Sequence, residues 1–295
     1  PTAPDITRTV LGASGTTALT TTATDLWVDA GTTWSTTDPL TGGSGTERWD
    51  ANSGTSGTAS AGATVNPSYY HQFVFTLSYA VTGGGSPTAP TLTATQYGAS
   101  YTPALTGAAT DYWLDNSQSW SVTNPLTESG ATERWRSSQT VSGTVSATQT
   151  TIFAYYHQFD FVLSYSLAGG GSPTAPTLTT TQYGASYTPV LTTIATDYWL
   201  DNSQTFSVTN PLTGSGTTER WQSSQTVSGT VSATQTTVFT FYHQFGPLIS
   251  YSVVGGGSGY SAPTLACQQF GSSFTYTATT TGPAQWVDNS CAYTF

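Results

Sequence analysis

Residue types that could do chemistry return at fixed positions along the chain. One histidine, one arginine, one glutamate and two aspartates recur at intervals of 86 positions, or 87 for the last aspartate: His71, His157 and His243; Arg48, Arg134 and Arg220; Glu47, Glu133 and Glu219; Asp25, Asp111 and Asp197; Asp29, Asp115, Asp201 and Asp288. A histidine with two carboxylates has the composition of a metal site or of an acid–base pair. The same residues also fit a hydrogen-bonded strand histidine, an Asp-Asn turn and an arginine that stacks on a tryptophan.

The structural interpretation of this set is favoured. Serine and threonine are so abundant that no nucleophile can be singled out, and the glycines that begin at Gly83 precede no helix that could bind phosphate. The sequence therefore predicts no catalytic residue, no metal ligand and no cofactor, and it predicts that the protein is not an enzyme. Exposed aromatic rings could instead stack on sugars. The candidates for that role are Tyr97, Tyr101, Tyr112 and Tyr155.

Whole segments repeat with the same spacing. Thr-Glu-Arg-Trp begins at Thr46, Thr132 and Thr218, an interval of 86, and Gly-Gly-Gly-Ser recurs in the same phase. Tandem repeats of this length usually each form one structural unit. The pattern predicts domains at residues 1–86, 87–172 and 173–258 and a partial repeat at 259–295. Alternatively, the structural units begin near residues 73, 159 and 245.

Short segments rich in threonine, valine and aromatic residues predict strands. Phe159, Phe161, Leu163 and Tyr165 alternate with other residues in the period of two that a half-buried strand shows. In the third copy of this segment Pro247 should interrupt the strand, because proline cannot donate to a ladder. No window has helical spacing, so we expect an all-β fold of small sandwiches without significant helix.

Repeated tryptophans are the expected core side chains. One position holds Trp27, Trp113, Trp199 and Trp286, and another holds Trp49, Trp135 and Trp221. Two large rings for each small domain would supply most of the apolar surface that the domain buries.

Composition excludes several partners. The chain has no lysine, five arginines and fifteen carboxylates, for a net charge of −10, so binding to nucleic acid is not expected. A surface of hydroxyl groups suits an exported protein and offers acceptors for O-linked glycans.

The absence of methionine is expected if a leader has been removed, and no apolar run is long enough for membrane insertion. Oxidising surroundings would pair Cys267 with Cys291, whereas two free thiols are the alternative.

The order of the motifs resembles a known class of repeats. Trp-x-Asp at Trp113 is followed by Arg-Trp at Arg134, Ser-Gly-Thr-Val-Ser at Ser142, Tyr-Tyr-His-Gln-Phe at Tyr155 and Gly-Gly-Gly-Ser at Gly169. This order is similar to that of the tandem β-repeats of secreted cell-surface and filament proteins of archaea and some bacteria. The resemblance covers nearly the whole chain. It implies immunoglobulin-like β-sandwich domains and an extracellular stalk, adhesin or filament role, and it provides no catalytic residue to transfer.

We therefore expect a structural subunit of an extracellular, pilus-like fibre. Identical subunits would join head to tail by strand or domain completion, because the last repeat is unfinished and, with the shifted boundaries, the first lacks its leading strand. The residues expected at the contact are Pro1, Thr2, Ala3, Pro4, Asp5 and Ile6 at one end and Cys291, Ala292, Tyr293, Thr294 and Phe295 at the other. The alternative is a monomeric cell-surface adhesin or carbohydrate-binding array.

Overall fold

The structure, a computed structural model, describes residues 1–289 and residue 291, and it confirms the all-β class. Every regular element in this part of the chain is a strand. The first twelve strands are β1 (Asp5–Val10), β2 (Ala13–Ala18), β3 (Thr33–Thr36), β4 (Glu47–Ala51), β5 (Ser56–Thr58), β6 (Tyr69–Thr82), β7 (Leu92–Gln96), β8 (Ala99–Tyr101), β9 (Thr110–Asp115), β10 (Ser119–Val122), β11 (Glu133–Arg136) and β12 (Ser142–Thr144). The others are β13 (Gln149–Ala168), β14 (Leu178–Gln182), β15 (Ala185–Tyr187), β16 (Thr196–Asp201), β17 (Thr205–Val208), β18 (Glu219–Gln222), β19 (Ser228–Thr230), β20 (Gln235–Phe245), β21 (Thr264–Gln269), β22 (Ser272–Thr277) and β23 (Val287–Asp288).

The chain divides into two compact units. The first consists of residues 1–82, 86–128 and 135–155, and the second of residues 83–85, 129–134 and the described residues from 156 onward. Each unit contains one large apolar core. The first core draws its side chains from Phe75 to Tyr155, and the second from Phe161 to Phe241.

The first unit packs two sheets face to face. β6 pairs antiparallel with β4 and with β9, and a second sheet has the order β12-β10-β7-β8. Phe75 on β6 meets Trp120 on β10 edge to face, with ring centroids 5.6 Å apart. Such contact between inner faces is the packing of a β-sandwich. A further sheet of order β2-β1-β3-β5 lies near the start of the chain.

The second unit repeats this arrangement. β13 pairs antiparallel with β16 and parallel with β20, and β15-β14-β17-β19 form the facing sheet. Phe161 and Leu163 of β13 are fully buried, as their alternation predicts. β20 ends at Phe245, and between Pro247 and the start of β21 the chain makes only isolated bridges, at Leu248 and Ser250. The missing proline N–H explains this interruption.

The prediction of core tryptophans is right for Trp135 and Trp221, whereas Trp49 at the same repeat position is only half-buried, and it is wrong for the other position. Trp135 and Trp221 lie in the two cores, each 7% exposed. Trp27, by contrast, is 86% exposed, and the corresponding tryptophans of the other repeats are only half-buried. Tyr112 and Leu114 point into the core, so Trp113 between them must point to the opposite face of the sheet.

One buried carboxylate is poorly accommodated. Asp160 on β13 stands at the position that Val74 has in β6; it is 8% exposed, and its Oδ1 atom has no hydrogen-bond partner among the described residues. Burial first, and the Asp197 carboxylate second, raise the pKa of Asp160, and Arg134 offsets this only in part. The folded state therefore holds a proton on Asp160 more tightly than the unfolded chain does.

Replacing Asp160 by the valine of the first repeat should stabilise the second unit. We expect Asp160→Val to raise the free energy of unfolding at neutral pH by about 1–3 kcal/mol, since an unpaired buried acceptor is removed. In the wild type, protonation of Asp160 contributes fully to the free energy of unfolding below the ordinary pKa of 3.8. This contribution is lost as the pH rises through the raised pKa of the folded state. Urea unfolding should thus show a difference that shrinks at low pH. An equal difference at both pH values, or a destabilised variant, would contradict this assignment.

A repeated junction cluster as the candidate functional site

The arginine of each Thr-Glu-Arg-Trp motif stacks on a tryptophan of the next repeat. The guanidinium carbon lies 4.4 Å from the ring centroid for Arg48 over Trp113, and 4.1 Å for both Arg134 over Trp199 and Arg220 over Trp286. These distances define a cation–π contact. The sequence predicted arginine stacking, but the ring belongs to the Trp-x-Asp motif of the next repeat.

A buried glutamine connects each arginine to an aspartate. The arginine Nε donates to the glutamine Oε1 at 2.9 Å in all three copies. The glutamine Nε2 then donates to the aspartate Oδ1, at 2.8 Å from Gln72 to Asp115. The distances to Asp201 and Asp288 are 2.8 and 2.9 Å. Since each glutamine is 0% exposed, no water competes for these bonds. We call each set of arginine, glutamine, tryptophan and aspartate a junction cluster.

The aspartate of each junction cluster also fixes a β-turn. Asp115 accepts hydrogen bonds from the backbone N–H groups of Tyr97 at 3.0 Å and Gly98 at 2.6 Å. Both residues have positive φ, 53° and 71°, which is the geometry of the tight turn that joins β7 to β8. Two successive N–H groups in this geometry converge on an anion. Asp201 and Asp288 make the same bonds in their repeats, so each junction is linked to a hairpin.

Histidine joins the glycine linker to the same region. In the second unit His157 Nε2 lies 2.6 Å from Glu133 Oε1, and its Nδ1 lies 3.2 Å from the carbonyl oxygen of Gly83. Asn202 donates to that same carbonyl at 2.7 Å. A side chain at Gly83 would bring its Cβ to 3.2 Å from the Cβ of His157, at a φ of +88°. His243, Glu219, Gly169 and Asn289 repeat the arrangement.

The carboxylates do not gather around the histidines. His71, His157 and His243 each contact one glutamate, whereas the Asp115-type carboxylates bind glutamine and backbone N–H groups. Asp111 accepts instead from Thr76 Oγ1 at 2.6 Å. Among the described residues, no group of three or more histidine, cysteine, aspartate or glutamate side chains is placed to hold a metal ion.

Two of the tyrosines named as sugar-binding candidates are buried, which makes that prediction wrong for them. Tyr112 is 4% exposed and Tyr155 is fully buried, and burial raises the pKa of both phenols. Tyr155 donates to the carbonyl of Thr123 at 2.6 Å. Tyr97 is partly buried and donates to Asp50 at 2.5 Å, and desolvation first, then this bond, raises its pKa to about 12. Tyr101 packs at a tilt against Tyr112.

The first repeat has only half of a junction cluster. Asp29 accepts from the N–H groups of Leu11 at 2.9 Å and Gly12 at 2.7 Å, as its counterparts do. Within residues 1–289 and 291, however, no arginine lies over the Trp27 ring and no glutamine reaches Asp29. Arg8 donates from Nε to the backbone carbonyl of Trp27 at 3.0 Å and from Nη1 to Thr17 Oγ1 at 2.6 Å. The Trp-x-Asp motif is the same in every repeat, so the motif does not signal this difference.

The residues expected at the subunit contact are placed in different surroundings. Pro1, Thr2, Ala3 and Asp5 are exposed and Pro4 is partly covered, but Ile6 in β1 is 4% exposed and pairs with Thr17 of β2 and Thr36 of β3. Cys267 and Cys291 are disulfide-bonded with their Cα atoms 5.7 Å apart, compatible with the pairing expected. Ala292, Tyr293, Thr294 and Phe295 lie outside the described residues. Their part in a contact stays a prediction.

Comparisons with known proteins assign no family. No protein-family model matches the chain, and no curated protein matches it significantly. In the part of the chain that the structure describes, no helix is long and apolar enough to cross a membrane. The interpretation therefore depends on the repeated geometry itself.

Removing one relay glutamine should show what the cluster contributes. We expect Gln158→Leu to lower the free energy of unfolding by about 1–3 kcal/mol, because Arg134 Nε and one acceptor site of Asp201 lose their partner in a buried position. Denaturant unfolding measures this loss. Gln204→Leu, at an exposed position of the same unit, is the control and should change stability little. Equal effects of the two substitutions would show that the relay adds no stability.

Proposed function

We propose that the protein is a structural subunit of an extracellular fibre, in which identical copies are joined head to tail. The observation that carries this proposal is the half-formed junction cluster at Trp27 and Asp29. At each of the three other Trp-x-Asp motifs, an arginine stacks on the tryptophan and a glutamine donates to the aspartate. A second copy that supplied these groups would extend the pattern already present within one chain.

Exposed apolar side chains support the proposal. Leu11 and Trp27 in the first unit are 94% and 86% exposed, and Leu248 and Val254 in the second are 77% and 94% exposed. Burying a large apolar side chain contributes about 1.5–3 kcal/mol, so covering these residues would favour association. The two sets are unlike each other. A contact between unlike surfaces is heterologous, and it produces a fibre when it does not close into a ring.

Composition supports an extracellular setting for such a fibre. Charged residues make up 7% of the chain, and hydroxyl side chains are abundant, which favours O-linked glycans as the modification. The Cys267–Cys291 disulfide suits an oxidising compartment. The junction clusters use the repeated ionisable residues for structure, which favours a structural role over an enzymatic one.

Charge placed on Trp27 should block assembly. We expect purified wild-type chain to form fibres visible by electron microscopy, and Trp27→Asp to reduce the polymer pelleted by ultracentrifugation by about tenfold or more, since a carboxylate cannot take the place of a buried ring. Ile194→Asp is the matched control, because Ile194 is also highly exposed, at 77%, and should leave assembly unchanged.

The same samples separate the fibre from its alternative. A monomeric adhesin would use the exposed Trp27 ring to stack on a sugar. Wild-type chain that stays as single subunits at all concentrations would overturn the fibre, and sugar binding lost only in Trp27→Asp would then favour the adhesin. Circular dichroism should show that both variants keep the β fold.

A further inference from the structure

We propose that residues 247–254 of one copy insert as a strand between residues 24–29 and residues 63–70 of the next copy. This inference rests on the proposed head-to-tail fibre. It specifies which segment is donated, which two segments accept it, and the pairing register of all three.

A complete repeat shows what the inserted strand must do. In the second unit, residues 161–168 of β13 pair parallel with β20, from Phe161 opposite Gln235 to Ala168 opposite Tyr242. Residues 158–163 of β13 pair antiparallel with β16, with Leu163 opposite Thr196. Because both ladders include residues 161–163, β13 is a central strand with a neighbour on each edge. Its inner side chains Phe161 and Leu163 are 1% and 0% exposed.

The first repeat lacks strand structure on both sides of this position. Residues 24–29 correspond to β9 and β16, yet they form no strand. Residues 63–68 correspond to the first six residues of β13 and β20, yet β6 begins only at Tyr69. Leu26 and Val28 are half-buried, whereas Tyr112 and Leu114 at the same positions are 4% and 0% exposed. Among the described residues, therefore, neither of the two segments that would flank this central strand is paired in a sheet.

The chain contains a third copy of that central strand, and this copy has no sheet of its own. Residues 247–254 correspond to residues 161–168, and Pro247, Ile249, Tyr251 and Val253 take the places of Phe161, Leu163, Tyr165 and Leu167. All four are apolar or aromatic, as a core-facing strand requires. In the structure this segment makes two isolated bridges and leaves Leu248 and Val254 exposed. In this register Pro247 begins the parallel ladder, as Phe161 does opposite Gln235, and it lies inside the antiparallel ladder that starts at Gln244, where it cannot donate a hydrogen bond.

The internal pairing fixes the register between copies. Leu163 lies opposite Thr237 and Thr196, so Ile249 should lie opposite Val65 and Thr24 of the next copy. Ser166 lies opposite Thr240, and their hydroxyl oxygens are 3.2 Å apart. Ser252 and Ser68 are the corresponding residues, and both are exposed in the structure.

The same register completes the half-formed junction cluster. It brings Arg220 of one copy over Trp27 of the next and Gln244 against Asp29, in the relation that Arg48 and Gln72 have to Trp113 and Asp115. Within one copy Trp286 and Asp288 occupy these places. Assembly must therefore displace β23 from β20, so Trp286 competes with the incoming Trp27 for one arginine.

Cysteine cross-linking on full-length chain tests the register. We expect the double variant Ser68→Cys with Ser252→Cys to form a covalent ladder of subunits on oxidation, because the paired side chains would stand at disulfide distance. The control is Ser68→Cys with Ser250→Cys, which shifts one cysteine by two residues along the same face. It should cross-link about tenfold less. Mass spectrometry of the linked peptides identifies the bond, and electron microscopy of the same samples records fibres.

Each outcome decides something. A ladder with the 68–252 link between different copies supports the inference. Fibres that carry no such link, or that cross-link equally in the control, overturn the register and leave the proposed fibre in place. A 68–252 link within single subunits also overturns it. Absence of fibres in the wild-type chain overturns the proposed function and the inference with it.

Competition for Arg220 gives an independent readout. Trp286→Ala removes the cation–π contact that holds β23 at Arg220, so we expect this variant to polymerise about tenfold faster than wild type. Light scattering measures the rate. Slower assembly of this variant, with its β fold retained, would show that β23 stays in place in the fibre and would contradict the register.

Discussion

The hydrogen-bond chain from arginine through glutamine to aspartate is the interaction on which the junctions of this protein depend. It places a guanidinium against a tryptophan, satisfies the buried glutamine amide and leaves the second carboxylate oxygen to bind a hairpin turn. A direct ion pair would have brought two charges together at the cost of their hydration. The neutral glutamine instead satisfies both charged groups through hydrogen bonds, and its planar amide sets their separation.

The recurring ionisable residues resemble a catalytic set, but their contacts hold segments of the chain in place. The glutamate orients the histidine, the histidine reaches the carbonyl of the linker glycine, and an asparagine binds the same carbonyl. The Gly-Gly-Gly-Ser segments that begin at Gly83 and Gly169 therefore have a fixed position at their first residue. Glycine is required at these two positions by a positive φ and by the closeness of a histidine, in contrast to the glycines of a flexible tether.

Local patterns in the sequence were sufficient for the strands but not for the contacts between repeats. Alternation at Phe161 and Leu163 identified the buried face, and Pro247 marked where the third copy of this strand is interrupted. The role of Trp113 could not be read in this way, because its arginine lies 65 positions earlier and a different tryptophan stands beside that arginine. The exposure of Trp27 could not be predicted from the sequence either, because it depends on which segments pack against the Trp-x-Asp motif and not on the motif itself.

The parallel pairing of β13 with β20 has a mechanical consequence. Within the core that runs from Phe161 to Phe241, the first and last strands are direct neighbours, in register over eight residue pairs, and point the same way. The chain thus enters the core at one end of this ladder and leaves it at the other. Tension along the chain would load these hydrogen bonds in shear, all at the same time, whereas an antiparallel hairpin can be opened one bond after another.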